Sequence, residues 1–377
     1  LQLRNLLRYI ILFLILCNMP SYLLAYFGST LGSLSSYASS LLLLAYYFLS
    51  REKHELIFPF ILLGILYYTL SGLNFSEIDP EWYFKDFIRF MIVVVCAGDL
   101  LYKTNNKDIY MILVIGALSI IINAVIFPLA NANFYPTYGR FSGFYLNPNF
   151  AGSICLIGFA LSYSMGNKWF RLGGQLIFTL AGILTFSRSF IVIWLLINII
   201  AIYHNRKNVI APAIGALVLV VLFAVSSFLT LNTARFSALK SIFNDEQIQS
   251  ETIQKDSRTG TWALYTDIIF DKPIWGNGYE YMQKKLPGLP GVHNTFLMVL
   301  GEAGIIPFLL IVGIYIFLLI RSYSLFRSNP EYFYLSCVLT ISLMVGHTYF
   351  SNYYNVLISM YLLIQFKKLS ESSSLIL

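Results

Sequence analysis

Apolar residues along this chain gather in runs of about 20, separated by short polar connections, instead of alternating at the period of a surface helix or a half-buried strand. A helix needs roughly 20 mostly apolar residues to cross the hydrocarbon core of a bilayer. Runs near 5–27, 33–50, 55–73, 84–102, 108–128, 148–166, 168–186, 188–204, 208–230, 294–320, 331–349 and 352–368 therefore predict about 12 transmembrane helices in an all-α polytopic membrane protein. The first run carries Arg4 and Arg8 ahead of its apolar core, as a signal peptide does, but no convincing small-x-small site follows, so it is expected to remain as a span. Residues 1–377 read as a single integral membrane domain: nine spans over 1–230, a long connection over 231–293, and three spans over 294–368.

Lysine and arginine orient the bundle. With the N-terminus cytoplasmic, Arg4, Arg8, Arg51, Lys53, Lys103, Lys107, Lys168, Arg171, Arg206, Lys207, Arg321, Arg327, Lys367 and Lys368 fall on the inner side, a majority of the 25 basic residues. The long connection is largely exempt from the charge rule. Both termini are then cytoplasmic and the 231–293 connection is extracytoplasmic. Lys85, Arg89, Arg140 and Arg188 are left near short outer connections, where the rule disfavours them, and that makes them functional candidates.

Composition agrees: 58% of residues are hydrophobic and 11% charged, against about 25% charged in ordinary soluble domains. The net charge of +7 is spread through the connections, so it reflects topology and implies no nucleic-acid partner. Cys17, Cys96, Cys155 and Cys337 lie inside apolar runs without CxxC or Cys/His spacing, which predicts buried small side chains and no metal site. The nine-plus-three division shows no internal repeat, unlike the paired halves of many twelve-span transporters.

The candidate chemistry collects on the predicted outer face. Arg140 precedes the turn and N-cap Asn147-Pro148-Asn149, and reads either as an interfacial anchor or as a phosphate ligand. Arg188 stands in the tight hinge Thr185-Phe186-Ser187-Arg188-Ser189, where its planar fork can hold two phosphate oxygens. Residues 256–270 read as one amphipathic helix capped by Asp256 or Ser257, with Arg258, Trp262, Tyr265 and Ile269 on one face, suited to the bilayer surface. His293, followed by Asn294, closes the long connection; His54 and His204 fall in cytoplasmic turns and are expected to be solvated. Glu302 lies roughly 13 Å into the tenth span at about 1.5 Å per residue, where a carboxylate needs a partner. An outer arginine or a substrate is expected to supply it. His347, Asn352 and Asn355, at the outer ends of the last spans, are weaker candidates.

Four segments taken in order resemble one family: Arg140 with Asn147-Pro148-Asn149; Ser187-Arg188; Ser257-Arg258 before Trp262 and Pro273-Ile274-Trp275-Gly276-Asn277-Gly278; and His293-Asn294 with Glu302-Ala303-Gly304. The series resembles the O-antigen ligase and O-antigen polymerase superfamily, best between about 139 and 310. The resemblance implies a GT-C-like membrane glycosyltransferase of the bacterial inner membrane, working at its periplasmic face. It implies transfer of a glycan from undecaprenyl pyrophosphate to an acceptor hydroxyl, with inversion at the anomeric carbon. Arg188 and Arg258, with Arg140, would hold the pyrophosphate, and His293 would be the general base. Glu302, Asn294 and His347 would support them. The chemistry is self-consistent, because a pyrophosphate leaves without protonation if its growing charge is stabilised, and neutral histidine, with an ordinary pKa of about 6.5, accepts a hydroxyl proton near neutrality. Such a reaction requires no cofactor and no divalent metal.

The acceptor is expected to be a lipid A core sugar, as in the ligases, or alternatively a second lipid-linked glycan, as in the polymerases. A lipid-linked oligosaccharide flippase is the reading from a different class, although charges lining a central path would then be expected rather than charges gathered at one face.

Overall fold

In the computed structural model of the chain, residues 2–73, 80–126, 139–225, 258–283, 289 and 291–374 are described. Among them the secondary structure is helical and contains no strand. The helices are α1 (Gln2–Leu16), α2 (Met19–Phe27), α3 (Ser29–Leu49), α4 (Phe58–Ser71), α5 (Pro80–Tyr102), α6 (Asn106–Val125), α7 (Pro148–Ser162) and α8 (Lys168–Leu184). They continue with α9 (Arg188–His204), α10 (Ile210–Val225), α11 (Arg258–Ala263), α12 (Thr266–Asp271), α13 (Thr295–Ala303), α14 (Ile305–Ser324), α15 (Pro330–Leu343) and α16 (Tyr354–Ser374).

Each predicted apolar run contains helix, but length and composition qualify fewer of them as complete spans. Helices α6 and α14 are long and apolar enough to cross a bilayer, and α1 with α2 qualify together as a pair bent by 64°. The bend has a local cause: Asn18 adopts φ 54°, a left-handed conformation that asparagine tolerates, and proline follows within the first turn of α2.

The chain divides into two compact units. The first comprises Leu1–Leu42, Thr104–Ile248 and Ser322–Leu339. Within it α6, α7 and α8 pack on one another, α9 packs on α7, and α10 on α8. Small residues let these helices approach: the rings of Phe178 and Phe190 lie where side chains on Gly158 and Gly182 would be, the close packing expected where apolar burial alone cannot select an interface. Asparagines start three of the helices. Asn105 forms a capping box with Asp108 on α6, and Asn147 and Asn167 accept backbone N–H bonds at the starts of α7 and α8.

The second unit comprises Leu43–Lys103, Gln249–Arg321 and Thr340–Leu377. Here α4 packs on α5 and α13, α5 on α16, and α12 on α13. Its charged end is knit together rather than solvated. His54, expected to be exposed, stacks on Tyr102 with centroids 3.6 Å apart and lies 3.1 Å from the buried Asp99. All four cysteines are free and buried, as their apolar surroundings predict.

Two further expectations are corrected. The tenth run is not one helix, because it breaks at Gly304 (φ +81°) into α13 and α14. The helix read over 256–270 is also divided, with α11 and α12 meeting at Leu264-Tyr265, where Tyr265 N bonds Trp262 O in an i−3 pattern. The expected caps Asp256 and Ser257 lie outside the described residues. Tyr265 is 0% exposed and Ile269 is buried, so the aromatic face turns into the protein rather than toward a bilayer surface.

Candidate functional site

In the first unit the site is a hinge held by a buried arginine. Arg140 is 5% exposed; its Nε donates to Thr185 O at 2.9 Å and its Nη2 to Asn149 Oδ1 at 3.0 Å. The same Asn149 oxygen accepts from Ser187 Oγ at 3.1 Å, and Ser187 Oγ lies 2.8 Å from Ser189 Oγ. Phe141 N bonds Leu184 O, which fastens the Arg140 segment along the end of α8. Phe186 takes the left-handed φ of 48° that lets α8 turn directly into α9. Arg188 is the first residue of α9 and is exposed. The two arginines thus differ: Arg140 spends its fork on the turn, whereas Arg188 is presented by it. Asn149, read from sequence only as part of a turn, is the shared acceptor.

The second unit holds the histidines. Asn294 caps α13 by accepting from Phe296 N and Leu297 N at 3.0 and 3.2 Å, so its side-chain oxygen has a structural task. His293, immediately before, has φ 45°. A non-glycine residue in that region costs on the order of 1–3 kcal/mol and persists only where its surroundings over-determine it. Its ring meets that of His347 with centroids 4.7 Å apart and planes at 68°, and both rings are half-buried. Thr295 Oγ1 donates to Gly346 O at 2.9 Å and ties the two segments together beside the rings. His347 was visible in sequence only as one polar residue at a helix end; its approach to His293 was not.

Glu302 is 0% exposed, and no arginine pairs with it among the described residues. Its carboxyl accepts from Tyr67 Oη at 2.5 Å, Met282 N at 2.9 Å and Gln283 Nε2 at 3.1 Å. A buried carboxylate is tolerated when donors surround it. Tyr67 stacks flat on Phe350 with centroids 3.6 Å apart. Sequence offered no sign of Tyr67, one tyrosine among 27.

The Pro273–Gly278 segment explains how the helix break is tolerated. A helix end leaves its last carbonyls without partners. Asn277 N donates to Gly301 O at 2.7 Å and Gly278 N to Glu302 O at 3.1 Å, while Ile305 N, opening α14, donates to Pro273 O at 3.0 Å. Gly276 and Gly304 have φ of +74° and +81°, and a Cβ on either would collide with the opposing backbone. Beyond the turn, Tyr279 N bonds Ser71 O and Tyr279 Oη donates to Asp86 at 2.6 Å. Burial and the neighbouring Asp86 carboxylate hold the Tyr279 phenol well above the usual tyrosine range, so it remains a donor. Arg258 opens α11.

No group of three or more potential metal-binding side chains occurs among the described residues. None of the curated proteins compared with the chain matches it. A family model described as O-Antigen ligase matches residues 174–312, a segment that contains Arg188, Arg258, His293, Asn294 and Glu302 and leaves Arg140 and His347 outside. Residues 174–312 of this membrane protein are thus similar to the O-antigen ligase family, and the match supports membership of the O-antigen ligase and polymerase superfamily of glycosyltransferase-like enzymes.

Proposed function

We propose that the protein is an inner-membrane glycosyltransferase that moves a glycan from undecaprenyl pyrophosphate to an acceptor hydroxyl at the periplasmic face, with a lipid A core sugar as acceptor. The observation that carries this reading is that one matched segment, 174–312, includes both of the arginines and the histidine that the chemistry requires. The twelve-span arrangement, cytoplasmic termini and an extracytoplasmic 231–293 connection belong to the same reading.

His293 takes the proton from the acceptor hydroxyl as its oxygen bonds to the anomeric carbon. The bond from that carbon to the pyrophosphate oxygen breaks, its electron pair leaves with the lipid pyrophosphate, and the configuration inverts. Arg188 and Arg258 stabilise the charge that grows on the leaving group, a contribution worth about 10²- to 10³-fold in kcat per preorganised donor. Arg140 serves best as the brace that presents Arg188, since Thr185 and Asn149 occupy its fork. Glu302 and Asn294 hold the helix that follows His293.

The test is transfer by purified protein from a defined undecaprenyl-pyrophosphate oligosaccharide, with a lipid A core acceptor and without one. Product on the core, lost in His293→Ala, Arg188→Ala and Arg258→Ala, supports the ligase reading. A ladder of longer lipid-linked glycans would identify a polymerase instead. Wild-type transfer by all three variants would refute the site, and flipping in liposomes without transfer would refute the enzyme.

A further inference from the structure

We propose that His347 is a positioning residue for the transfer reaction, acting through its ring contact with His293. The inference rests on the reading of His293 as the base, and it concerns a residue outside the segment that matches the family model.

The contact is built rather than incidental. The rings meet edge to face, 4.7 Å between centroids, on segments joined beside them by the Thr295 to Gly346 hydrogen bond. Thr295 is itself buried, and Asn294 fixes the start of α13 between it and His293. Gly291 faces both rings at once: a Cβ there would stand 3.4 Å from His293 Nε2 and 3.4 Å from His347 Cε1. The two imidazoles thus converge beside Gly291, at ordinary contact distance from where a Cβ would stand. His293 also holds a left-handed backbone, φ 45°, a strained conformation that persists only where its surroundings over-determine it.

The chemistry gives the neighbour a task. When the acceptor proton moves to His293, an imidazolium forms while the C–O bond to pyrophosphate breaks. Packed against the base, His347 holds the plane of its ring, so that the ring nitrogen meets the hydroxyl without a rotational search. His347 does this without touching the acceptor, which separates it from a second base.

The experiment measures kcat and KM for donor and core acceptor in the full-length protein, for His347→Ala, His293→Ala and the double variant, with thermal unfolding of each. Loss of that positioning predicts that His347→Ala lowers kcat by roughly 5- to 30-fold with both KM values within about twofold of wild type. In the His293→Ala background the same substitution should cost nothing more, because its effect runs through the base. A wild-type kcat in His347→Ala, or an equal loss in both backgrounds, would overturn the proposal. Should His347→Ala unfold early, His347→Phe keeps the ring face: kcat within about threefold of wild type supports the contact, whereas kcat as low as that of His293→Ala overturns it. Full activity of His293→Ala alone would overturn the parent reading, and the pair with it.

Discussion

Tyr67 donates its phenol hydrogen to the carboxyl of Glu302, 235 residues away in the chain, and the same carboxyl accepts Met282 N and Gln283 Nε2. One buried acid thus joins α4, α13 and the segment running toward His293. Its removal leaves several donors without a partner, and an unsatisfied buried group costs about 1–3 kcal/mol. Glu302→Ala is expected to lower the unfolding midpoint in detergent more than Glu302→Gln, which keeps one acceptor oxygen, enough for either Tyr67 or Met282 N. Equal midpoints for the two variants would contradict this role.

The turn at Pro273–Gly278 depends on two glycines. Gly276→Ala and Gly304→Ala each place a Cβ against backbone in a positive-φ conformation, and strain of this kind costs on the order of 1–3 kcal/mol. Both should reduce the yield of folded protein. Gly313→Ala, within α14 and with open space around it, serves as the control and should be neutral or slightly stabilising.

Arg140 and Arg188 should separate stability from activity. Arg140→Lys cannot reproduce the guanidinium fork that reaches Thr185 and Asn149, so both the unfolding midpoint and transfer should fall. Arg188→Ala, at an exposed helix start, should move stability by no more than about 0.5 kcal/mol while abolishing most transfer. Parallel losses of stability in the two variants would mean that Arg188 is a brace as well.

The inward face of α11 and α12 gives a fourth test. Tyr265→Ala removes a fully buried ring and should cost about 3 kcal/mol or more, by analogy with other large aromatic truncations. Phe270, 72% exposed, should tolerate Phe270→Ser without loss of the unfolding midpoint. The reverse order, read from thermal unfolding, would show that the outward face is the packed one.

The helical membrane class was legible in the sequence because spanning a bilayer demands long apolar runs, a signal that survives without any knowledge of packing. The cap at Asn147 was legible for a similar reason: it acts within three residues of itself. The ordered series from Arg140 through Arg188 and Arg258 to His293 carried the resemblance, which the match over 174–312 supports for all but its first segment. Helix breaks were harder to read. Gly304 sits in an apolar run that reads through it, and only the backbone of Pro273–Gly278, docked on the free carbonyls, makes a break favourable.

What the tertiary structure alone decided is which side chains meet. In a helix apolar on every side, periodicity names no facing neighbour, so nothing local could pair Tyr67 with Glu302 or bring His347 to His293. The face of Tyr265 and Ile269 was correctly grouped along the chain, yet whether protein or lipid covers it depends on neighbouring segments. Local chemistry fixed the elements and the reactive residue types. Their partners came from packing between distant segments, where close contact and the need to satisfy each buried polar group select one arrangement.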